Sequence, residues 1–310
     1  SLFPDQEKDN SLDIVTKVNR SLLLLSLGIQ LGMVPWLQSK EIRVSTLADP
    51  NNEQGGESWA TATNLKNGIT LAEPGDEIWL SSGTYLPTSG NSSIDARASF
   101  QLKGGITFLG GFSGTEDLKN QRDPVLNRSI LSGDLGDDDL YIPLRGYRKT
   151  GFNSTNVCTV VSAEEIPVIL DGLTITRGAP DFLAEAPGAG ILCTGGKIRL
   201  RHCSFETNYS YAAKGGGALS LTAGSEAFLE NCIFRANSCR GDGGALYSLN
   251  SDLSLYQCEF SGNHSDDDGG AIYFRSGTLS MNRCSIVGNM CAGVGGGMLL
   301  FLAEAKISNS

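Results

Sequence analysis

A four-residue phrase that opens with two glycines recurs along the second half of this 310-residue chain. One copy is Gly216-Gly217-Ala218-Leu219, and it is followed by the second phrase Cys232-Ile233-Phe234-Arg235-Ala236-Asn237. The glycine pairs are 27, 26 and 27 residues apart and begin at Gly216, Gly243, Gly269 and Gly296. A fixed period of this length is typical of repeat proteins, in which each unit packs mainly on its neighbours. The chain is therefore predicted to be a solenoid.

Residue alternation inside one unit indicates strands and corners. Cys232 and Phe234 alternate with Ile233 at strand period, so we expect the sulfur and the ring to point inward. Asn231 breaks the alternation and predicts a corner, and Asn237 falls at the next one, where asparagine tolerates left-handed backbone. Each unit then supplies three short strands and three bends. The predicted fold class is all-β, a single right-handed parallel β-helix with an N-terminal capping helix.

Successive turns of such a coil lie about 4.8 Å apart, so equivalent positions form ladders along the axis. Cysteines in register favour buried free thiols over disulfides, because their parallel Cβ vectors fit the disulfide torsion poorly. The predicted ladders are Cys203, Cys232, Cys258 and Cys284; Phe205, Phe234, Phe260 and Ile286; Asn208, Asn237, Asn263 and Asn289; and Leu219, Leu246, Ile272 and Leu299.

The N-terminal part of the chain differs from the repeats. We interpret residues 1–40 as a leader, because Lys17 and Arg20 precede an apolar run as in a signal peptide. An apolar helix packed on the end of the domain is the alternative. Residues 41–310 are predicted to form the β-helix, with an irregular cap and early turns over 41–155. Regular turns over 156–310 stop within a repeat, so we expect a fragment whose membrane anchor, if it has one, lies outside it.

One helix is predicted near the start of the β-helix, over the open end of the coil. Ser58 is its predicted N-cap, and Pro74-Gly75 ends it. Its apolar residues recur at helical spacing: Trp59, Ala62, Leu65, Ile69 and Ala72.

Acidic residues outnumber basic ones, and the net charge is −10. This balance argues against nucleic acid as a partner, because binding a polyanion requires clustered lysine and arginine. Two acidic loops are candidates for calcium, which prefers carboxylate oxygens. The alternative is that both loops are solvated turns. The candidate ligands are Asp266, Asp267, Asp268, Asp137, Asp138 and Asp139. No cofactor other than calcium is expected.

Catalytic residues cannot be assigned from spacing alone. The two histidines, His202 and His264, occupy different repeat positions, which argues against a histidine-based active site. A lyase would need an arginine beside calcium-binding acids, and the repeats offer two arginines and two aspartates that directly precede glycine pairs. These four residues are Arg235, Arg275, Asp242 and Asp268. The spacing does not require them to share one face.

The repeat phrases resemble those of chlamydial-type polymorphic outer membrane proteins, and residues 41–310 resemble secreted bacterial right-handed parallel β-helix proteins. The resemblance extends to phrases before the repeats: Gly56-Glu57-Ser58-Trp59-Ala60, Pro74-Gly75-Asp76-Glu77-Ile78-Trp79, Gly83-Thr84-Tyr85, Gly110-Gly111-Phe112, Gln121-Arg122-Asp123, Leu131-Ser132-Gly133-Asp134 and Leu170-Asp171-Gly172-Leu173-Thr174-Ile175. It implies a secreted or outer-membrane-associated cell-surface protein.

Three functions stay open at this point. The favoured one is a non-enzymatic protein that presents stacked loops for adhesion or carbohydrate contact, with a glycan or a host or surface protein as partner. The second is a calcium-dependent, pectate-lyase-like polysaccharide lyase, and the third is a structural fibre or envelope component. We expect a monomer or end-to-end association. Acids, an arginine and exposed aromatics in one outer groove would favour the enzyme, whereas small polar residues would favour adhesion.

Overall fold

The computed structural model of the chain describes residues 39–48, 55–87, 95–142, 146–149, 151–161, 166–179 and 187–310. The predicted leader, residues 1–40, lies outside this description except for Ser39 and Lys40. Among the described residues, no helix is both long and apolar enough to cross a membrane.

The described residues form 27 strands, one α-helix and two short 3₁₀ helices. The α-helix is α1 (Leu65–Leu71), and the 3₁₀ helices are Trp59–Thr61 and Lys119–Gln121. The strands are β1 (Glu41–Val44), β2 (Glu77–Ser81), β3 (Gly83–Tyr85), β4 (Phe100–Gln101), β5 (Thr107–Phe112), β6 (Ser129–Ser132), β7 (Leu140–Ile142), β8 (Gly146–Arg148), β9 (Cys158–Val161), β10 (Val168–Asp171), β11 (Leu173–Thr176), β12 (Ile191–Thr194), β13 (Lys197–Arg201), β14 (Ser204–Glu206), β15 (Tyr209–Ser210), β16 (Leu219–Thr222), β17 (Glu226–Glu230), β18 (Ile233–Arg235), β19 (Ser238–Cys239), β20 (Leu246–Leu249), β21 (Asp252–Tyr256), β22 (Glu259–Ser261), β23 (His264–Ser265), β24 (Ile272–Asn282), β25 (Ser285–Val287), β26 (Met290–Cys291) and β27 (Met298–Ser308).

Most of these strands stack into three walls of a parallel coil, and β15, β19, β23 and β26 form a separate four-stranded parallel sheet. Wall A contains β4, β9, β12, β16, β20 and the N-terminal halves of β24 and β27. Wall B contains β1, β2, β5, β10, β13, β17, β21 and the C-terminal halves of β24 and β27. Wall C contains the seven strands β3, β6, β11, β14, β18, β22 and β25. All strand pairs within the walls are parallel, and the one antiparallel pair in the described part joins β7 to β8. The predicted all-β parallel solenoid is confirmed.

The core is built from equivalent side chains in successive turns. The rings of Phe205, Phe234 and Phe260 stack with centroids 4.6 Å apart and interplanar angles of 2° and 6°. Ile286 pairs with Phe260 in the next turn and continues the ladder. The ladder cysteines are buried, and all the cysteines of the chain are free. The predicted phenylalanine and cysteine ladders are both confirmed.

The asparagine ladder is confirmed, but its conformation differs from the prediction. Asn237 Nδ2 donates to Phe205 O at 2.9 Å and to Asn263 Oδ1 at 3.1 Å. Its Oδ1 accepts hydrogen bonds from the amide N of Asn208 at 3.1 Å and from Asn208 Nδ2 at 3.0 Å. The left-handed residue is Ala236, at φ 52°, rather than Asn237. A bend one residue earlier leaves the asparagine side chain inside the coil, where it bonds buried backbone groups that would otherwise lack partners.

The fourth glycine pair is offset by one residue from the prediction. Ile272 pairs with Met298, so Met298 and not Leu299 extends the aliphatic ladder of wall A. Gly295, at φ 76°, corresponds to Gly269, at φ 65°, so the fourth pair begins at Gly295. The error arose because three consecutive glycines precede Met298 and the phrase can be aligned in two ways.

The predicted single helix is two. Ser58 caps the 3₁₀ helix Trp59–Thr61, and a separate N-cap, Asn64, opens α1. The break arises because Thr63 forms a parallel bridge with Val44 of β1, which requires extended backbone. Leu65 of α1 joins Val44 in the hydrophobic core, so α1 packs on the first strand of wall B.

Removal of one ladder ring should destabilise the whole coil. Phe234 is fully buried, so we expect Phe234→Ala to lower the free energy of unfolding by about 3–5 kcal/mol. Ile233→Ala, on the outer face of the same strand, should cost less than about 1 kcal/mol. Urea denaturation followed by circular dichroism measures both, and equal losses would contradict the inward ladder.

Candidate functional site

The predicted acidic loop at residues 266–268 contributes two of its three aspartates to a carboxylate cluster. Asp267 and Asp268 lie with Asp242 such that one oxygen from each falls within 4.8 Å of the others. Asp266 points elsewhere, because its Oδ1 lies 3.0 Å from His264 Nε2. The cluster therefore draws its third carboxylate from the preceding turn.

Stacking of the repeat explains how Asp242 comes to this position. Asp242 and Asp268 each directly precede a glycine pair, so they are equivalent residues of adjacent turns. The amide N of Asp268 donates to Asp242 Oδ1 at 3.4 Å, and the amide N of Val294 donates to Asp268 Oδ1 at 2.8 Å. Burial raises the pKa of Asp242 above its ordinary value, and the nearby carboxylates of Asp267 and Asp268 raise it further.

Three clustered carboxylates from adjacent turns provide the oxygen ligands that calcium prefers. Asp242 is only 7% exposed, and the nearby cationic side chain that favours its charged form is Lys214. A bound cation would relieve both the desolvation of Asp242 and the repulsion from its neighbours. The structure thus changes one of the three candidate calcium ligands: Asp242 replaces Asp266, and Asp267 and Asp268 remain.

The second predicted acidic loop, at residues 137–139, belongs to a carboxylate cluster that the side chain of Arg177 already contacts. Asp138 and Asp139 group with the buried Asp134, whereas Asp137 is not part of this cluster. Arg177 Nη1 lies 3.0 Å from Asp134 Oδ2 and 3.9 Å from Asp137 Oδ1. The backbone amides of Asp138 and Asp139 also donate to Asp134. The arginine therefore supplies positive charge where calcium was expected.

The two arginines considered for a lyase do not lie together. Arg235 belongs to wall C, where its Nη2 is 3.9 Å from Glu259 Oε1. Arg275 belongs to wall A and lies beside Tyr273 and Phe301.

The wall A tyrosines, Tyr247 and Tyr273, are stacked with centroids 5.3 Å apart. Burial and Asp242 raise the pKa of Tyr247 to about 12.

A different site emerges along wall C, in a groove of about 580 Å³ that we call the His202 groove. Its side chains include the apolar Val125 and Ile233 and the polar Arg122, Arg128, His202 and Glu206. The segment that connects β5 to β6 forms one side of this groove, and strands of wall C form the other.

An ion-paired carboxylate orients the histidine of this groove. His202 Nδ1 lies 3.0 Å from Asp171 Oδ1, and Arg122 Nη2 lies 2.9 Å from the same oxygen. Because an ionised carboxylate only accepts hydrogen bonds, Nδ1 of His202 carries the proton in this contact. In neutral His202 the other ring nitrogen, Nε2, is then the proton acceptor. Such a carboxylate–histidine pair is suited to general base chemistry.

Arg128, another cationic side chain of the groove, is arranged to bind hydroxyls or carboxylates. Arg128 Nη2 contacts both carboxylate oxygens of Glu206 at 3.1 Å and Thr174 Oγ1 at 3.2 Å. These contacts with described residues all use one terminal nitrogen, so the other guanidinium donors are available. The guanidinium is also half-exposed, at 47%.

Sequence reasoning missed the His202 groove for an identifiable reason. His202 follows β13, and Asp171 ends β10, which pairs in register with β13 so that Asp171 lies beside Arg201. Their proximity thus depends on a turn of irregular length, 30 residues between Asp171 and Arg201, and not on the regular 26- or 27-residue period. His202 and His264 occupy different repeat positions, which argued against a histidine-based site, but repeat position does not show that Asp171 of the preceding turn lies beside His202.

Comparison with known families identifies one match. The family described as right handed beta helix region matches residues 152–307, which is half of the chain. Comparisons with curated proteins and with solved structures gave no significant match.

The acidic cluster makes opposite predictions with and without calcium. In chelator at neutral pH, Asp242→Asn should raise the melting temperature by about 1–3 °C, because it removes a buried charge and keeps the Oδ1 acceptor. The raised pKa of Asp242 means that its ionisation destabilises the fold as pH rises through the folded-state pKa. The gain should therefore vanish well below the unfolded-state aspartate pKa of about 3.9, where the carboxyl is neutral in both states. With millimolar calcium the natural chain should become more stable and the variant should not.

Asp266→Asn is the matched control, because Asp266 lies outside the cluster, and it should retain the calcium response. Differential scanning calorimetry measures all three proteins. An unchanged melting temperature of the natural chain in calcium would refute the metal site, and a destabilising Asp242→Asn in chelator would refute the repulsion.

Proposed function

Because the chain belongs to the right-handed β-helix family, we propose that it is a secreted or cell-surface protein that binds a glycan without cleaving it. The family establishes the fold, and a β-helix has a packed core, so ligands must bind to outer faces and loops. We place glycan binding in the His202 groove. The resemblance of the repeats to polymorphic outer membrane proteins supports export and surface location.

The composition of the His202 groove is the observation that carries this proposal. Sugars present apolar C–H faces and a rim of hydroxyls, so a binding groove needs apolar contact area together with oriented polar groups. Val125 and Ile233 supply apolar surface, at 83% and 36% exposure. Arg128 contacts Glu206 through Nη2 alone, so its other guanidinium donors are available to a ligand, and Glu206 supplies an acceptor beside them. Glu206 and Ile233 lie on strands of wall C, and the ion pair with Glu206 ties Arg128 of the β5–β6 segment to that wall, which lowers the cost of ordering these groups on binding.

The proposal is tested by removing the groove arginine. Arg128→Ala should weaken binding of any glycan found on an array by tenfold or more, about 1.4 kcal/mol, because charge-assisted hydrogen bonds are lost. Arg283→Ala is the control, since Arg283 is an exposed arginine at another corner, beside Tyr256. Isothermal titration calorimetry with the array ligand measures both variants. Equal affinity in the two variants, or no glycan bound by the natural chain, would contradict the proposal.

A polysaccharide lyase is the second candidate, and the Asp171–His202 contact favours it. Abstraction of a proton next to a carboxylate needs a base, and neutral His202 has Nε2 available while Asp171 holds Nδ1. Arg122 and Arg128 line the same groove and would stabilise the negative charge that develops on the substrate carboxylate. This candidate puts the base at the corner between β13 of wall B and β14 of wall C, and it requires no contribution from Arg235 or Arg275.

Lyase activity is tested by ultraviolet absorbance of unsaturated product on a panel of polyuronates. If the second candidate is correct, the natural chain forms product and His202→Ala reduces the rate by about 10²-fold or more, the usual contribution of a general base. His264→Ala is the control, because that histidine contacts Asp266 outside the groove. Absence of product on every polymer would exclude the lyase while leaving glycan binding intact.

A further inference from the structure

A second cavity lies at the N-terminal end of the coil, and we call it the Trp59 pocket. It has a volume of about 510 Å³, within the range of ligand sites, and Trp59 forms part of its wall. None of the described side chains that line it is charged, although the chain as a whole carries a net charge of −10. Five of the lining residues carry hydroxyls: Ser45, Thr46, Ser81, Ser82 and Ser113.

The indole of Trp59 is held in one position. Its Nε1 donates to Glu116 O at 2.8 Å, and its ring lies 5.6 Å from the ring of Phe112 at an angle of 47°. Phe112 in turn stacks on the buried Trp79, with centroids 4.6 Å apart. The aromatic surface is therefore fixed before any ligand arrives, which reduces the entropy lost on binding.

Glu116 also positions the loop at Ser113 and Gly114, which lines the pocket. Its carboxylate accepts hydrogen bonds from the amide N of Ser113 at 2.6 Å and of Gly114 at 3.1 Å. Partial burial raises the pKa of this carboxyl, but the hydrogen bonds from Ser113 and Thr115 outweigh that effect and the pKa lies below its ordinary value. Glu116 thus positions both the Trp59 indole and the loop at Ser113 and Gly114, and backbone amides satisfy the charge of its carboxylate.

The pocket hydroxyls divide into two groups. Three hydroxyls already have partners: Ser81 Oγ lies 3.1 Å from Tyr85 Oη, Ser45 Oγ accepts from Leu47 N at 3.2 Å, and Ser113 Oγ lies 2.9 Å from Thr115 Oγ1. The hydroxyls of Thr46 and Ser82 have no hydrogen-bond partner within the described ranges of the chain. They are available to a ligand as both donors and acceptors.

We propose that the Trp59 pocket binds an uncharged saccharide. The C–H face of a sugar ring would pack on the Trp59 indole, and its hydroxyls would bond Thr46 and Ser82. A uronate is disfavoured, because its carboxylate would lose water without meeting a cationic side chain. This site is separate from the His202 groove, and neither proposal depends on the other.

The test uses neutral tetrasaccharides of glucose, mannose and N-acetylglucosamine, with a glucuronate oligomer of equal length for comparison. Tryptophan fluorescence and isothermal titration calorimetry follow each titration. We expect saturable binding of at least one neutral sugar and at least tenfold weaker binding of the glucuronate oligomer. Trp59→Ala should reduce neutral-sugar affinity at least tenfold, and Thr46→Val should reduce it severalfold without disturbing the aromatic stack.

Phe228→Ala, which removes a partly exposed aromatic ring from wall B, is the control and should leave neutral-sugar affinity unchanged. Arg128→Ala should also leave it unchanged, which separates this pocket from the His202 groove. Failure of every neutral sugar to bind, equal binding of the glucuronate oligomer, or full affinity in both Trp59→Ala and Thr46→Val would overturn the inference. Groove binding that is lost only in Arg128→Ala would in that case still support the proposed function.

Discussion

Contact between equivalent side chains of successive turns is the interaction on which the rest of this structure depends. Phe234 packs between the rings of the turns before and after it, and Asn237 bonds both to the neighbouring asparagines and to the carbonyl of Phe205. The aromatic ladder removes apolar area from water along the axis, while the asparagine ladder satisfies backbone groups that the corners leave unpaired. A residue in the middle of either ladder therefore contacts the turns before and after its own and stabilises all three.

The same stacking determines where chemistry is found. Because the interior is filled, reactive groups lie on outer faces and at corners, and they meet across turns more than within them. Asp242 and Asp268 are brought together by repetition of one position, which places like charges close together; burial, and after it the charges of Asp267 and Asp268, raise the pKa of Asp242. Asp171 and His202 lie in adjacent turns where the repeat length is irregular, and Arg122 neutralises the Asp171 carboxylate. In the regular turns, stacking thus brings the like-charged Asp242 and Asp268 together. In the irregular turns, it brings the Asp171 carboxylate to the side chains of His202 and Arg122, which pair with it.

The two cavities that we assign to ligands both lie where the coil departs from its period. The His202 groove uses the long connection between β5 and β6, and the Trp59 pocket uses the short helical segment beside β1 together with the loop held by Glu116. Residues of the regular repeats serve mainly as bends, core and corners. Divergent turns are therefore the places where a repeat protein of this family can acquire a binding function without loss of its core.

The period, the alternation around Phe234 and the asparagine positions were sufficient to predict the solenoid, its ladders and their contents, because in a parallel coil equal spacing in sequence becomes adjacency in space. Local pattern was insufficient where spacing changes. Three consecutive glycines hid the offset that places Met298 in register, and the bridge at Thr63 divided a helix that periodicity made continuous. The repeat period implies that Asp242 and Asp268 are adjacent, but only the tertiary structure showed that Asp267 joins them. Only the tertiary structure likewise brought His202 to Asp171 and placed Trp59 and Ser82 in one pocket, since these arrangements follow from turn lengths and corner geometry that one-dimensional spacing does not encode.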